Sequence, residues 1–166
     1  MVGAAHIAAG AAIGIATKNP WIAIPAAFAT HYVFDMVPHH EYMPKSDLTS
    51  LTLGQTGNLL FRGAADFTIG MLAAAIVTHF NIWALMIAIV AVIPDGLNSL
   101  GVMAMHSAKT KPPSRLQRVL IAQRKFHRLI HFKKGPYDAP LWLPLLIQVL
   151  PMFVLLWLVV RFVGGA

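Results

Sequence analysis

Apolar residues fall into five runs, at roughly residues 3–17, 21–37, 64–79, 82–105 and 141–163, separated by short polar breaks. A helix crossing the hydrocarbon core of a bilayer needs about 20 residues. The last two runs are long enough. The first three must extend into neighbouring polar residues, thin the bilayer locally, or pack as hairpins. Asn19-Pro20 breaks the chain between the first two runs, and Asn81, after His79 and Phe80, does the same between the third and fourth, so both pairs read as helical hairpins. Gln55, Gly57 and Asn58 read as a turn or re-entrant entry to the third helix. The first run is dominated by Gly and Ala, from Gly3 through Gly10 and Gly14 to Ala16, which favours close helix contact in lipid and a place inside the bundle. It lacks a basic segment ahead of it, so it reads as a membrane helix and not as a signal peptide. The expected fold is all-α: one membrane-embedded domain over residues 1–166, an integral bundle of about five helices with a basic amphipathic cytoplasmic helix in segment 106–140.

Composition agrees. The chain is 57 % hydrophobic and 11 % charged, where a soluble domain carries about a quarter charged residues. Thirteen Lys and Arg against six Asp and Glu give a net charge of +7, suited to anionic lipid, with nucleic acid the weaker reading. No cysteine is present, leaving His and carboxylate as the strong metal ligands. Between Asp95 and Asp138 lie nine basic residues and no acidic one, so the positive-inside rule puts this loop in the cytoplasm. If all five runs cross, the N-terminus and the 38–63 loop are cytoplasmic too, while Lys18, the 79–81 turn and Arg161 face the other side.

That topology gathers His6, His31, Asp35, His39, His40, Glu41, Asp66, Asp95, His127 and His131 near one membrane face. An Asp in a membrane helix costs about 2.5–3.5 kcal/mol, so Asp35, Asp66 and Asp95 need partners. His31 and Asp35, four apart, share a helix face, and Pro38 can fold His39, His40 and Glu41 back over the same end. This spacing suits zinc, with manganese or magnesium as alternatives; an intrahelical His31–Asp35 hydrogen bond with interfacial His39 and His40 is the plainer reading. Asp95, after Ile93-Pro94, suits a helix end where it caps the next helix as well as it suits ligation. Asp66 equally reads as an interfacial partner of Arg62. His127 and His131 lie four apart on a basic amphipathic helix, where surface imidazoles and ligands are balanced readings. His6, in a helix of small residues, has few polar partners outside a buried site.

Ala5-His6-Ile7, the His31-to-His39 element ending in Pro38-His39, Pro94-Asp95 and the Phe126-His127-to-His131 stretch together resemble the YdjM-like group of small inner-membrane metal-dependent hydrolases. The His-x3-Asp element is also similar to that of zinc-dependent phospholipase C. The resemblance implies a multi-pass protein of the prokaryotic inner membrane that binds a divalent metal. Where the YdjM-like group usually continues to a second Asp and a His, this chain has Gly96-Leu97-Asn98, and the motif order differs.

The expected function is a metal-dependent hydrolase working at the cytoplasmic face on a phosphate ester of a lipid or another membrane-associated substrate. His6, His31, Asp35, His39, His40, Asp95, His127 and His131 are the candidate ligands, Asp66 or Glu41 the general base, and Arg62 or Arg128 the phosphate clamp. The alternative is a non-enzymatic membrane protein whose polar core or structural metal site accompanies binding of anionic lipid or a partner. Transport ranks last, because ionisable groups are confined to one end of the helices. No Gly-x-Ser-x-Gly element or phosphate-binding Gly-rich loop is present.

Overall fold

The computed structural model describes residues 3–36, 52–130, 146 and 149–163, which form six α-helices. They are α1 (Gly3–Ala16), α2 (Pro20–Asp35), α3 (Leu53–Val77), α4 (Ile82–Ser107), α5 (Arg115–Ile130) and α6 (Leu150–Phe162). Each of the five apolar runs overlaps one of these helices, and the basic segment contains α5. Among the described residues α4 is the one helix long and apolar enough to cross a membrane; α1 and α6 are shorter apolar helices.

Side-chain caps set the hairpin turns. The Asn19 side chain accepts from the Trp21 amide at 3.0 Å, and Pro20 occupies the start of α2, where its missing N–H costs nothing. Asn81 does the same for the Ala84 amide at 3.0 Å. The two turns meet, since Trp83 Nε1 donates to the Thr17 carbonyl at 2.9 Å.

Two sequence expectations are corrected here. Residues 55–58 are not a turn or re-entrant segment: α3 begins at Leu53, because Thr52 and Gln55 form a reciprocal capping box that satisfies its first amides. Nor does Asp95 stand at a helix end, since α4 runs through Pro94 to Ser107. Proline removes one helical hydrogen bond and crowds the preceding turn, a cost of about 3 kcal/mol in a helix interior. Neighbouring side chains hold that turn from outside, with His31 Nδ1 on the Ala91 carbonyl and Gln123 Nε2 on the Pro94 carbonyl.

The core is built around α1, which packs on α2, α3, α4 and α6 and is buried along most of its length. This is the inside position its small residues implied. A Cβ at Gly10 would lie 2.8 Å from Ala88 Cα, and one at Gly14 2.6 Å from Ala84 Cα, so α1 and α4 approach as closely as glycine allows. Large apolar side chains point outward instead, among them Trp21 on α2, Leu72 and Ile76 on α3, Met86 and Ile89 on α4, and Trp157 on α6. Small residues inside and large apolar residues outside invert the distribution of a water-soluble bundle.

Candidate metal centre

Four helices converge on Asp35, at the last turn of α2. His31 comes from the preceding turn of the same helix, so Nε2 lies 3.0 Å from Asp35 Oδ2. α4 contributes Asp95, whose Oδ1 is 3.6 Å from His31 Nε2. α5 contributes His127, whose Nε2 is 3.5 Å from Asp35 Oδ2 and 3.8 Å from Asp95 Oδ1. On the other side of the carboxylate, His6 of α1 places Nε2 3.3 Å from Asp35 Oδ1 and stacks its ring on His31 with centroids 4.0 Å apart.

One ligand atom from each of His31, Asp35, Asp95 and His127 lies within 4.8 Å of all the others. Metal–nitrogen and metal–oxygen bonds of about 2.0–2.2 Å imply donor–donor edges of about 3.3–3.6 Å in a tetrahedron. The four His–carboxylate separations, from 3.0 to 3.8 Å, bracket that range. These residues could therefore hold one divalent cation with two imidazoles and two carboxylates.

The hydrogen bonding of His31 points the same way. Its Nδ1 sits 2.9 Å from the Ala91 carbonyl oxygen, which can only accept, so Nδ1 carries the proton and Nε2 of the neutral ring presents a lone pair. That lone pair faces carboxylate oxygens of Asp35 and Asp95. Three electron-rich atoms converging inside a protein call for a positive charge between them, supplied by a metal ion or by a second proton on the ring. His6 Nδ1 is buried and has no hydrogen-bond partner among the described residues.

Burial is uneven. The side chains of His6, His31, Asp35 and His127 are 0–3 % exposed, whereas that of Asp95 is 41 % exposed. The cluster is thus sealed on the α1 and α2 sides and open along Asp95.

The remaining candidates fall elsewhere. Asp66 accepts the Gly3 amide at 2.6 Å and the Ala4 amide at 3.4 Å, capping α1 from α3, and its nearest polar partners are these amides. Arg62 is exposed, and its Nε donates to Asn58 Oδ1 at 3.0 Å, one turn away on α3. Arg128 is exposed beside buried His127. His39, His40, Glu41 and His131 lie outside the described residues. Sequence reasoning passed over the groups that dock α5. Gln123 Nε2 donates to Tyr32 Oη at 3.4 Å and to the Pro94 carbonyl at 3.3 Å, and Arg124 Nη1 donates to Asn98 Oδ1 at 2.9 Å. The available signal was helical spacing, since Gln123 precedes His127 by four residues and shares its face.

No protein-family model, no curated protein and no solved structure matches the chain, so the chemistry of this centre is read from its own residues.

Proposed function

We propose that this protein is a membrane-embedded, metal-dependent hydrolase of lipid phosphate esters, or of other phosphate esters held at the membrane, with its site at the cytoplasmic face. The observation that carries the reading is the two-His, two-Asp cluster, drawn from three helices, buried on three donors and open at Asp95. A divalent ion there supplies Lewis acidity toward a phosphoryl oxygen and makes a bound water more acidic. The chain's own residues do the rest. His31 is oriented by the Ala91 carbonyl, and His6 holds Asp35 Oδ1 while Oδ2 turns toward the ligand cluster. Asp95 is the accessible carboxylate, and its distances to the imidazoles are 3.6 and 3.8 Å. As the most exposed of the four donors, it is the ligand that gives up its position to a water, and released from the ion it takes the general-base role in preference to Asp66, whose oxygens cap α1; Glu41 lies outside the described residues.

Multi-pass insertion is supported by the outward apolar side chains of α2, α3, α4 and α6. Residues 82–95 of α4 rise about 20 Å at ~1.5 Å per residue, against a hydrocarbon core of about 30 Å. With Ile82 at the far interface, a site at that height lies about 10 Å inside the near one, so local thinning of the bilayer is needed to bring a lipid phosphate to it. The surplus of basic residues flanking it favours the cytoplasm for the near leaflet. The YdjM-like resemblance agrees in site composition and membrane setting. Zinc fits the donor set and the near-tetrahedral edges, with manganese or magnesium as alternatives.

A structural metal site is the second reading, favoured by one fact: four protein donors are enough to close a tetrahedron. Assay of detergent-purified protein against phospholipid and prenyl-phosphate substrates separates the two. The hydrolase reading expects phosphate-ester cleavage that a chelator abolishes and that Asp95→Asn lowers more than it lowers bound metal. Stoichiometric metal without cleavage of any such ester would leave the structural role.

A further inference from the structure

Helix α5 has a second face. His127, Arg124 and Gln123 turn toward α4 and α2, but Val119 and Leu129 are 64 and 81 % exposed, and Phe126, which touches Tyr32 with one edge, is still 52 % exposed. At spacings of seven and three they form one stripe along the helix. Arg115, Arg118, Lys125 and Arg128 are exposed around it, and α5 contains no acidic residue. An apolar stripe set among cations matches the boundary between anionic headgroups and acyl chains, where both halves are satisfied at once. Its complement is a negatively charged lipid surface, and α4 carries outward apolar residues of its own, such as Leu100 and Met103.

The stripe is joined to the metal centre by short contacts. Phe126 adjoins His127 in sequence, and the Tyr32 ring lies 5.4 Å from that of Phe126, 5.9 Å from that of His127 and 5.4 Å from that of His31. Among the four clustered donors, His127 is the one carried by the basic helix. We propose that an anionic leaflet seats α5 through its Val119, Phe126 and Leu129 stripe, and that this seating holds His127 in the cluster, so that metal affinity depends on anionic lipid. The coupling rests on the metal reading above; the seating does not.

The chain has no native cysteine, so single sites can be labelled in it. Leu129→Cys and Arg128→Cys, each carrying an environment-sensitive fluorophore, are compared in nanodiscs of phosphatidylcholine with and without phosphatidylglycerol. The quenchers are a lipid spin-labelled near the headgroup and aqueous iodide. With phosphatidylglycerol present, the lipid quencher reaches residue 129 and iodide reaches residue 128. Iodide access to both overturns the seating, and protection of residue 129 from both quenchers overturns it in favour of contact with a second copy of the chain. Cobalt binding by the unlabelled wild type is then measured in the two nanodiscs. Affinity about tenfold or more higher with phosphatidylglycerol is expected, a gain that Phe126→Ser with Leu129→Glu removes. Equal affinity in both overturns the coupling. No cobalt binding in either defeats the metal reading and the coupling together, while the quenching pattern still decides the seating.

Discussion

Asp35 has a different neighbour at each oxygen, and this division is the smallest unit of the account. Oδ1 faces His6, whereas Oδ2 faces His31 and His127. Removing His6 should leave the four-donor cluster in place but take away the contact that holds Oδ1. His6→Ala is therefore expected to weaken metal binding by about 10- to 100-fold, the usual effect of losing a group that orients a ligand. Competition with a chelating dye measures it, and unchanged affinity would remove His6 from the centre. Acidity acts on the same atoms. Nε2 of His31 must be unprotonated to bind a cation, and a proton there is the alternative occupant of the space between the carboxylates. Metal affinity should fall on acidification, because protons compete with the ion for the imidazole and carboxylate donors. A flat profile would contradict imidazole ligation.

At the scale of the element, the packing of α1 on α4 makes the centre possible, because it brings His6 and the Asp95 turn to the same end of α2. Gly10 is enclosed by three atoms of α4 at once, with Ala88 Cα, Ala91 Cβ and the Ile87 carbonyl all 2.8 Å from a would-be Cβ. Gly10→Val is expected to destabilise the protein by about 1–3 kcal/mol through overpacking. A lowered midpoint of thermal unfolding by circular dichroism in detergent checks this, and an unchanged midpoint would show that the helices do not approach so closely. Much of this level was legible in the sequence. The Asn19-Pro20 and Asn81 breaks are caps, the Gly and Ala run is the buried helix, and the spacing of His31 and Asp35 put them on one face. Pro94 misled, because a proline normally ends a soluble helix, while here side chains from α2 and α5 hold the disturbed turn. Asp66 could not be assigned from spacing, since its partners are amides 62 and 63 residues away. The same limit hid which face of α5 turned inward: both His127 and Phe126 suit an amphipathic helix, and only the packing of His127 against Asp35 and Asp95 separates them.

The whole molecule places its polar cluster at one end of an apolar stack, with the Thr17–Asn19 and 78–81 turns at the other. If the stack spans the bilayer, the exposed Lys18 and Lys111 lie on opposite sides of it. Cysteines placed there singly should react with a membrane-impermeant maleimide from opposite faces of oriented vesicles, position 111 from the cytoplasmic face. Labelling of both from one face would overturn the multi-pass reading while leaving the cluster untouched. The central claim, that His31, Asp35, Asp95 and His127 hold a divalent metal, is tested most directly by elemental analysis. Detergent-purified wild type is compared with the His31→Ala, Asp35→Ala double variant, with helicity confirmed in both by circular dichroism. About one equivalent of zinc or another divalent metal is expected in the wild type, and its loss from a still-helical variant. No bound metal in the wild type, even after incubation with zinc or manganese followed by dialysis, would contradict it.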